Sequence, residues 1–302
     1  MKPVFLLFFL GVILISFQGL IPSTPRLNKP MSAPPPTEDI VLIAGGDVML
    51  GRSVYSQSQK SNDSSWAFKN ISQEFRNADI SFINLESPIT PNCKTADSGT
   101  IFCAPPSQLT GLVSSGIDVA NIANNHILDH GQVGIDSTIS YLKENNISPL
   151  DPDPVIVERA GVKFGFLGFN ALEQLDRGKI ASLIADINKQ ADVLIVSFHW
   201  GTEYTSSPSQ AQISLAHLSI DQGADIVIGH HPHWVQTKEY YLGKPIYYSL
   251  GNLIFDQMWS EQTRDGLVVK FFFSGKNFIT TQEYPVKIFN YGQPEFAVKS
   301  ND

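Results

Sequence analysis

Six of the seven histidines in this chain lie in short polar segments that follow apolar runs; only His217 sits inside a helical pattern. Five apolar runs rich in Val and Ile (40–44, 80–85, 117–123, 193–198 and 226–228) lead into such segments. The first is followed by Gly45-Gly46-Asp47, the second by Glu86, and the third by Asn124-Asn125-His126. The fourth leads into His199-Trp200-Gly201 and the fifth into Gly229-His230-His231-Pro232-His233. Carboxylate, amide and imidazole donors without a thiolate suit hard to borderline divalent ions such as Mn²⁺, Fe²⁺ or Zn²⁺. The glycine pair before Asp47 leaves that carboxylate free of steric obstruction. His231 and His233 flank a proline, so their rings project from an extended turn. One strand-end aspartate is usually a turn former or a helix cap, and one histidine a satisfied core group. Five such endings in one chain point to a metal site. The chain carries no GxSxG elbow, no GxxxxGK[ST] loop and no GxGxxG after a strand.

For these donors to meet, the runs must lie side by side. In an open α/β sheet the carboxyl ends of the strands gather at one crevice, where ligands bind. Helical patterns fall between the runs, at 133–145 and 208–222. The second has Ser207 as N-cap, Pro208 at the first position, Gln210 closing a capping box and Gly223 as the stop. Alternating strands and helices predict a layered α/β domain. After Gly243 only strand patterns follow, at 245–249, 267–273 and 277–283, as in added or antiparallel sheet.

The chain has 302 residues, 42% of them apolar and 17% charged, with 22 Gly and 19 Pro. That is enough for a sizeable core and unlike a disordered or fibrous chain. Net charge is −8, and the first 37 residues carry Lys2, Arg26 and Lys29 without an acid. The other 265 residues therefore hold 18 basic against 29 acidic groups. So negative a body should repel nucleic acid, which is not an expected partner.

Residues 4–21 form an uncharged apolar segment behind Lys2, long enough as a helix to span a bilayer core. It reads as a signal anchor, with a cleaved signal peptide as the alternative. Residues 22–38 contain six prolines and read as an extended tether, so the folded domain is expected over 39–302. Cys93 and Cys103 are the only cysteines. They lie in a loop rich in Pro, Gly, Thr and Ser and fit a disulfide in an oxidising compartment. A reduced pair or a zinc half-site are the alternatives.

Six blocks resemble the CapA family of poly-γ-glutamate capsule biosynthesis proteins, within the calcineurin-like metallophosphoesterase superfamily. They are GGDVMLG (45–51), NLESPIT (84–90), NIANNHILDHG (121–131), HWGTEY (199–204), GADIVIGHHPHWVQ (223–236) and YSLGNLIFDQ (248–257). The resemblance implies a four-layer α/β/β/α sandwich of the metallophosphoesterase type, with one or two divalent metal ions between its sheets. It also implies a membrane-tethered protein on the extracytoplasmic face of the cell membrane, or a secreted one if the N-terminal segment is cleaved. By the same resemblance, Asp47 ligates a first metal with His233, Glu86 bridges, and Asn125, His199 and His231 bind a second metal. His126 matches the histidine that acts on the leaving group, and Asp129 could orient it if the segment turns helically.

Three departures stand out. Met49 replaces the usual histidine of an Asp-x-His block, and a thioether is a poor ligand for Mn²⁺ or Zn²⁺. Glu86 stands where the superfamily usually has Asp, and Asn124 where it usually has Gly. Two functions from different classes are therefore expected. One is metal-dependent hydrolysis of a phosphoester or related bond. The other is a non-catalytic accessory subunit, working with a membrane synthase complex, that binds an anionic polymer for synthesis, export or retention. Arg52 and Arg264 are candidate anion binders, and Trp200, Glu203 and Tyr204 candidate cleft residues. Asn252 and Asp256 read as structural turn residues, while His130 and His230 match no ligand position.

Overall fold

The computed structural model describes Met1 and residues 39–297 apart from 92, 95, 97, 152 and 174. The apolar segment 4–21 and the tether 22–38 lie outside the described residues. No helix among the described residues is long and apolar enough to cross a membrane.

In chain order the elements are β1 (Asp39–Val48), α1 (Arg52–Ser61), α2 (Ser72–Arg76), β2 (Ile80–Leu85), α3 (Leu109–Ser114), β3 (Val119–Asn121), α4 (Gly131–Glu144) and β4 (Ser148–Leu150). Then come β5 (Val155–Arg159), β6 (Val162–Asn170), α5 (Arg177–Asn188), β7 (Val193–His199), α6 (Gln210–Asp221), β8 (Ile226–His230), β9 (Lys238–Tyr241) and β10 (Lys244–Tyr247). The last are β11 (Asn252–Ile254), α7 (Glu261–Arg264), β12 (Asp265–Ser274), β13 (Asn277–Phe289) and β14 (Gln293–Phe296). The fold is mixed α/β and rich in sheet. One sheet has the order β14-β13-β12-β1-β2-β3-β4, with β11 also paired to β1; the other runs β5-β6-β7-β8-β10-β9.

Buried apolar side chains form three layers. One is shared by the two sheets and joins Leu42, Phe82 and Phe271 of the first to Phe166, Ile195 and Ile228 of the second. A second layer packs Phe68, Leu112 and Leu142 from the α1–α4 side on the first sheet, and a third packs Ile184, Ala216 and Ile220 of α5 and α6 on the second. Strands β2 and β7 are buried along their whole length, as parallel strands covered on both faces must be. Each such aliphatic or phenyl side chain contributes about 1.5–3 kcal/mol by leaving water.

Several local expectations shift. The third run is a strand only over Val119–Asn121, because its last residues turn to present Asn124 and His126. The helix expected from residue 208 begins at Gln210, with Ser209 as N-cap and Gln212 closing the box. Both Ser-x-x-Gln registers fit the sequence; the second wins because Gln212 is buried and donates to Gln236 Oε1 at 3.0 Å. The β5–β6 hairpin, at the edge of the second sheet, was not among the expected strands. β12 and β13 form the expected antiparallel sheet, with β12 pairing antiparallel to β1. Cys93 and Cys103 are bonded, with their Cα atoms 5.6 Å apart.

Candidate metal centre

The carboxyl ends of β1, β2, β7 and β8 bring most of the predicted donors together. Asp47 lies beside Asn84 of β2 and Asn252 of β11, and His199 lies in register with His230. The glycines before Asp47 have a more specific role than clearing the way to an ion. A Cβ on Gly46 would stand 2.0 Å from the Gly251 carbonyl oxygen, and the Asp47 N–H donates to that oxygen at 3.0 Å. The glycine pair lets β1 touch the 250–251 backbone, which fixes where the Asp47 carboxylate starts.

Glu86 is the centre of the cluster. It is fully buried, and neither carboxylate oxygen has a hydrogen-bond partner among the described residues. Its Oε1 lies 3.7 Å from Nε2 of His126, 3.8 Å from Nε2 of His233 and 4.0 Å from Nε2 of His199. These gaps are too long for hydrogen bonds. They suit donors that share an ion, since two donors each about 2.1 Å from one tetrahedral ion stand about 3.4 Å apart. Asp47, Glu86 and His233 offer donors within 4.8 Å of one another, and Glu203, His231 and His233 form a second such group. His199 and His231 face each other with ring centroids 4.8 Å apart, and Asn125 Oδ1 is 2.8 Å from His199 Nε2. The residues present therefore fit divalent metal binding.

Residues behind the donors fix their direction. Asn84 donates to Asp47 Oδ1 at 2.9 Å, and its own carbonyl accepts from Asn121 at 2.9 Å and Asn124 at 3.3 Å. Asn252 Oδ1 lies 2.9 Å from His233 Nδ1, which leaves Nε2 facing Glu86. Outer partners of this kind set ring orientation and ligand basicity in metal sites. Asn252 thus does more than hold a turn.

The electrostatics differ from group to group. Burial pushes Glu86 well above the usual carboxylate range, with the charge of His233 offsetting part of the effect. Burial also acts on Asp47, but the close approach of His230 and His233 outweighs it and holds that carboxyl well below its usual range. Burial keeps His199 well below its ordinary value and, with the charge of His233, pushes His231 down to about 4. Both rings are therefore neutral at pH 7, as ligand imidazoles must be. For His233 the order reverses: burial pulls it down, yet Glu86 and Asp47 raise it to about 9.

His126 and Asp129 also meet. The segment turns, with Asp129 N–H on the His126 carbonyl at 3.0 Å, and His126 Nδ1 lies 2.8 Å from Asp129 Oδ2. Met49 is fully buried, and its sulfur accepts from the Gly51 N–H at 3.1 Å. Arg52 pairs through two guanidinium nitrogens with Asp256, and Arg264 is held by Glu261 and the Ile288 carbonyl. Trp200 is core, stacked on Phe198 at 4.6 Å and donating to the Tyr248 carbonyl. Glu203 is exposed beside the imidazoles, and Tyr204 accepts from Gln257 through its hydroxyl.

His230, which matches no ligand position in the resemblance, nevertheless lies inside the cluster. It is fully buried, 3.2 Å from Asp47 Oδ1, and neither ring nitrogen has a hydrogen-bond partner among the described residues. Its place as the last residue of a buried strand was the available signal. Asn84 and Asn121 carried a signal of their own, as amides inside the apolar runs.

The arrangement belongs to a mixed α/β fold rich in sheet. It is similar to the crystal structure of a phosphatase from Mycoplasma pneumoniae, with a TM-score of 0.55, 14% identity, and coverage of 83% of this chain and 94% of that one. The family model described as bacterial capsule synthesis protein PGA_cap matches residues 41–257, and this chain belongs to that family. It is 31% identical over 266 residues to the capsule biosynthesis protein CapA of Bacillus anthracis, covering 78% of this chain and 64% of the relative. It is 32% identical over 252 residues to the PGA biosynthesis protein CapA of Bacillus subtilis strain 168, covering 75% and 66%. The chain thus spans just under two thirds of the length of these relatives. The expected CapA-family membership is borne out.

Proposed function

We propose that this chain is a membrane-tethered, extracytoplasmic protein of capsule or poly-γ-glutamate-type polymer biosynthesis with a metal-dependent, phosphoesterase-like hydrolytic site. Its two sheets would then be the inner layers of a metallophosphoesterase-type α/β/β/α sandwich. The observation that carries the hydrolytic reading is Glu86, a buried carboxylate without a hydrogen bond and ringed by three imidazoles at 3.7–4.0 Å. Asp47, Glu86, His233, His199, His231 and Asn125 would hold one or two ions. Such ions would supply charge stabilisation of an anionic transition state and a nucleophile at neutral pH. The protein's own groups do the rest. Asn84 and Asn252 aim Asp47 and His233, and burial keeps His199 and His231 unprotonated. Asp129 takes the Nδ1 side of His126, so Nε2 faces Glu86 and can pass a proton to a leaving oxygen. General acid catalysis of this kind contributes typically about 10²–10⁴ in rate.

The apolar segment 4–21, the proline-rich stretch 22–38 and a disulfide that needs an oxidising compartment support the location. The substrate would be a phosphoester or the anionic polymer itself, and a membrane synthase complex the partner. The test is turnover of diphenyl phosphate, whose basic phenolate leaving group calls on a proton donor, by the purified, metal-loaded full chain. His126→Ala should abolish turnover and leave the bound metal unchanged; a variant that keeps wild-type turnover refutes the assigned role.

The Met49 sulfur favours a second reading. It is already bonded to the Gly51 N–H and gives the first metal position no imidazole. An accessory subunit that binds anionic polymer without cleaving it would then bind metal and poly-γ-glutamate but turn over no phosphodiester.

A further inference from the structure

Phe102 touches the His126–Asp129 pair twice. Its ring stacks on the His126 imidazole with centroids 3.8 Å apart and planes 22° from parallel. Its backbone N–H donates at 2.6 Å to Asp129 Oδ2, the same oxygen that faces His126 Nδ1. The stacking is specific to the Phe102 side chain, whereas the bond to Asp129 belongs to the backbone and depends on where the 102–104 segment is held. The ring also meets Phe255 edge-on at 5.7 Å, and Phe255 in turn meets His233 edge-on at 4.9 Å.

The backbone around Phe102 is fixed from several sides. Its neighbour Cys103 is bonded to Cys93. The Ala104 N–H donates to Pro88 O at 2.8 Å, and Thr90 N–H donates to Ala104 O at 3.0 Å, which ties the segment to the stretch just after Glu86. A Cβ on Gly51 would stand 2.0 Å from the Cys103 carbonyl oxygen, so the Cys103 backbone lies directly on the turn before α1. The Arg52 guanidinium lies over the Phe102 ring at 4.6 Å while Asp256 holds its far side, and it donates to Gly99 O within the disulfide loop at 2.6 Å.

We propose that Phe102 is a positioning residue for the His126–Asp129 pair, held against it by the Cys93–Cys103 bridge and by Arg52. The proposal rests on the reading of His126 as the group that serves the leaving oxygen. Phe102 limits rotation of the imidazole about its Cβ–Cγ bond by covering one face, and it fixes Asp129 through the shared oxygen. The bridge keeps the 102–104 segment against both. The disulfide loop thereby becomes part of the active-site wall, and its oxidation state sets how firmly the proton donor is aimed.

The experiment uses the full chain loaded with Mn²⁺ and, as probe, diphenyl phosphate, whose basic phenolate leaving group calls on the proton donor. Four proteins are compared: wild type, Phe102→Leu, Phe102→Tyr and the Cys93→Ser/Cys103→Ser double variant. Serine replacements avoid thiol reductants, which also withdraw metal. Phe102→Leu should lower kcat about three- to tenfold, the range that aromatic pairing gives. KM and metal content should stay unchanged, Phe102→Tyr should keep wild-type kcat, and the double serine variant should fall with Phe102→Leu. In the diamagnetic Zn²⁺ form, the His126 ring-proton resonances should lie upfield in wild type and Phe102→Tyr, and move downfield in Phe102→Leu. Unchanged kcat in Phe102→Leu at full metal content overturns the proposal, as do unshifted His126 resonances. Should Phe102→Leu fail to fold, the double serine variant decides by the same two readouts. A wild type that turns over no probe would refute the hydrolytic reading alone, and the His126 resonances would still decide whether Phe102 sets that ring.

Discussion

Replacing Glu86 by Gln should stabilise the metal-free protein and remove most of the stabilisation that metal provides. Glu86 is fully buried, and neither oxygen is hydrogen-bonded among the described residues. An unpaired buried amide costs about as much as an unpaired neutral carboxyl, so Gln removes only the charge. In EDTA the variant should therefore be more stable near pH 7, by about 1.4 kcal/mol for each unit by which the folded pKa of Glu86 exceeds its unfolded value. For a domain this large, each kcal/mol raises Tm by about 2–4 °C. The sign follows from the carboxyl group: burial raises its pKa in the folded state above the unfolded value. The advantage of Gln should be small below about pH 4.3 and grow above it by up to about 1.4 kcal/mol per pH unit, until the folded pKa is passed. With Mn²⁺ at about 1,000 times its Kd, wild type should gain about 4.1 kcal/mol, and Glu86→Gln much less. The stability order then inverts between EDTA and metal. Urea unfolding under both conditions measures it directly. A variant less stable than wild type in EDTA, or one stabilised equally by metal, would refute the reasoning, because Glu86 would then be a structural residue.

Metal affinity should depend on pH through His233, whose pKa stands at about 9 because Glu86 and Asp47 outweigh its burial. Binding must displace that proton, so apparent affinity should rise about tenfold per pH unit from pH 6 to about 9 and then level off. Calorimetry in two buffers of different ionisation enthalpy checks the proton release; no release between pH 6 and 8 contradicts it. Asn252→Ala leaves His233 Nδ1 to Asp47 Oδ2 alone, 3.3 Å away, and should weaken metal binding about 10–100-fold while leaving the fold intact, read by chelator competition. An unchanged Kd would show that Asn252 has no part in aiming the ring. Gly46→Ala should destabilise the chain by about 1–3 kcal/mol, since its Cβ would strike the Gly251 carbonyl. A variant as stable as wild type in urea would mean that β1 and the 250–251 segment can separate.

What the sequence revealed depended on how local each feature is. Asp47, Glu86, His199 and His231 each follow a buried apolar run, so the parallel-sheet rule gathers the first two on one sheet and the last two on the other, and the sandwich that the resemblance implies was needed to bring the pairs together. His126 was legible through the family resemblance, and its pairing with Asp129 from their three-residue spacing. His230 was not, because its neighbour His231 fitted the expected spacing and alternation along one strand cannot say which of two adjacent rings meets a carboxylate from another strand. Asn252 lies 19 residues from His233, and the antiparallel bridge between Val235 and Leu250 brings the two segments into contact. The register of α6 was ambiguous because two capping boxes overlap, and a tertiary bond from Gln212 to Gln236 decided between them. Phe102 lies in a loop without periodicity, so its stacking on His126 left no trace in the sequence.

The most direct test of the account is the metal content of the purified full chain after loading with Mn²⁺, Fe²⁺ or Zn²⁺ and removal of excess ion. An Asp47→Ala/His231→Ala double variant serves as the blank. The account predicts one or two ions per wild-type chain and almost none in the variant. A folded wild type that retains no ion, or a variant that retains as much as wild type, would contradict it.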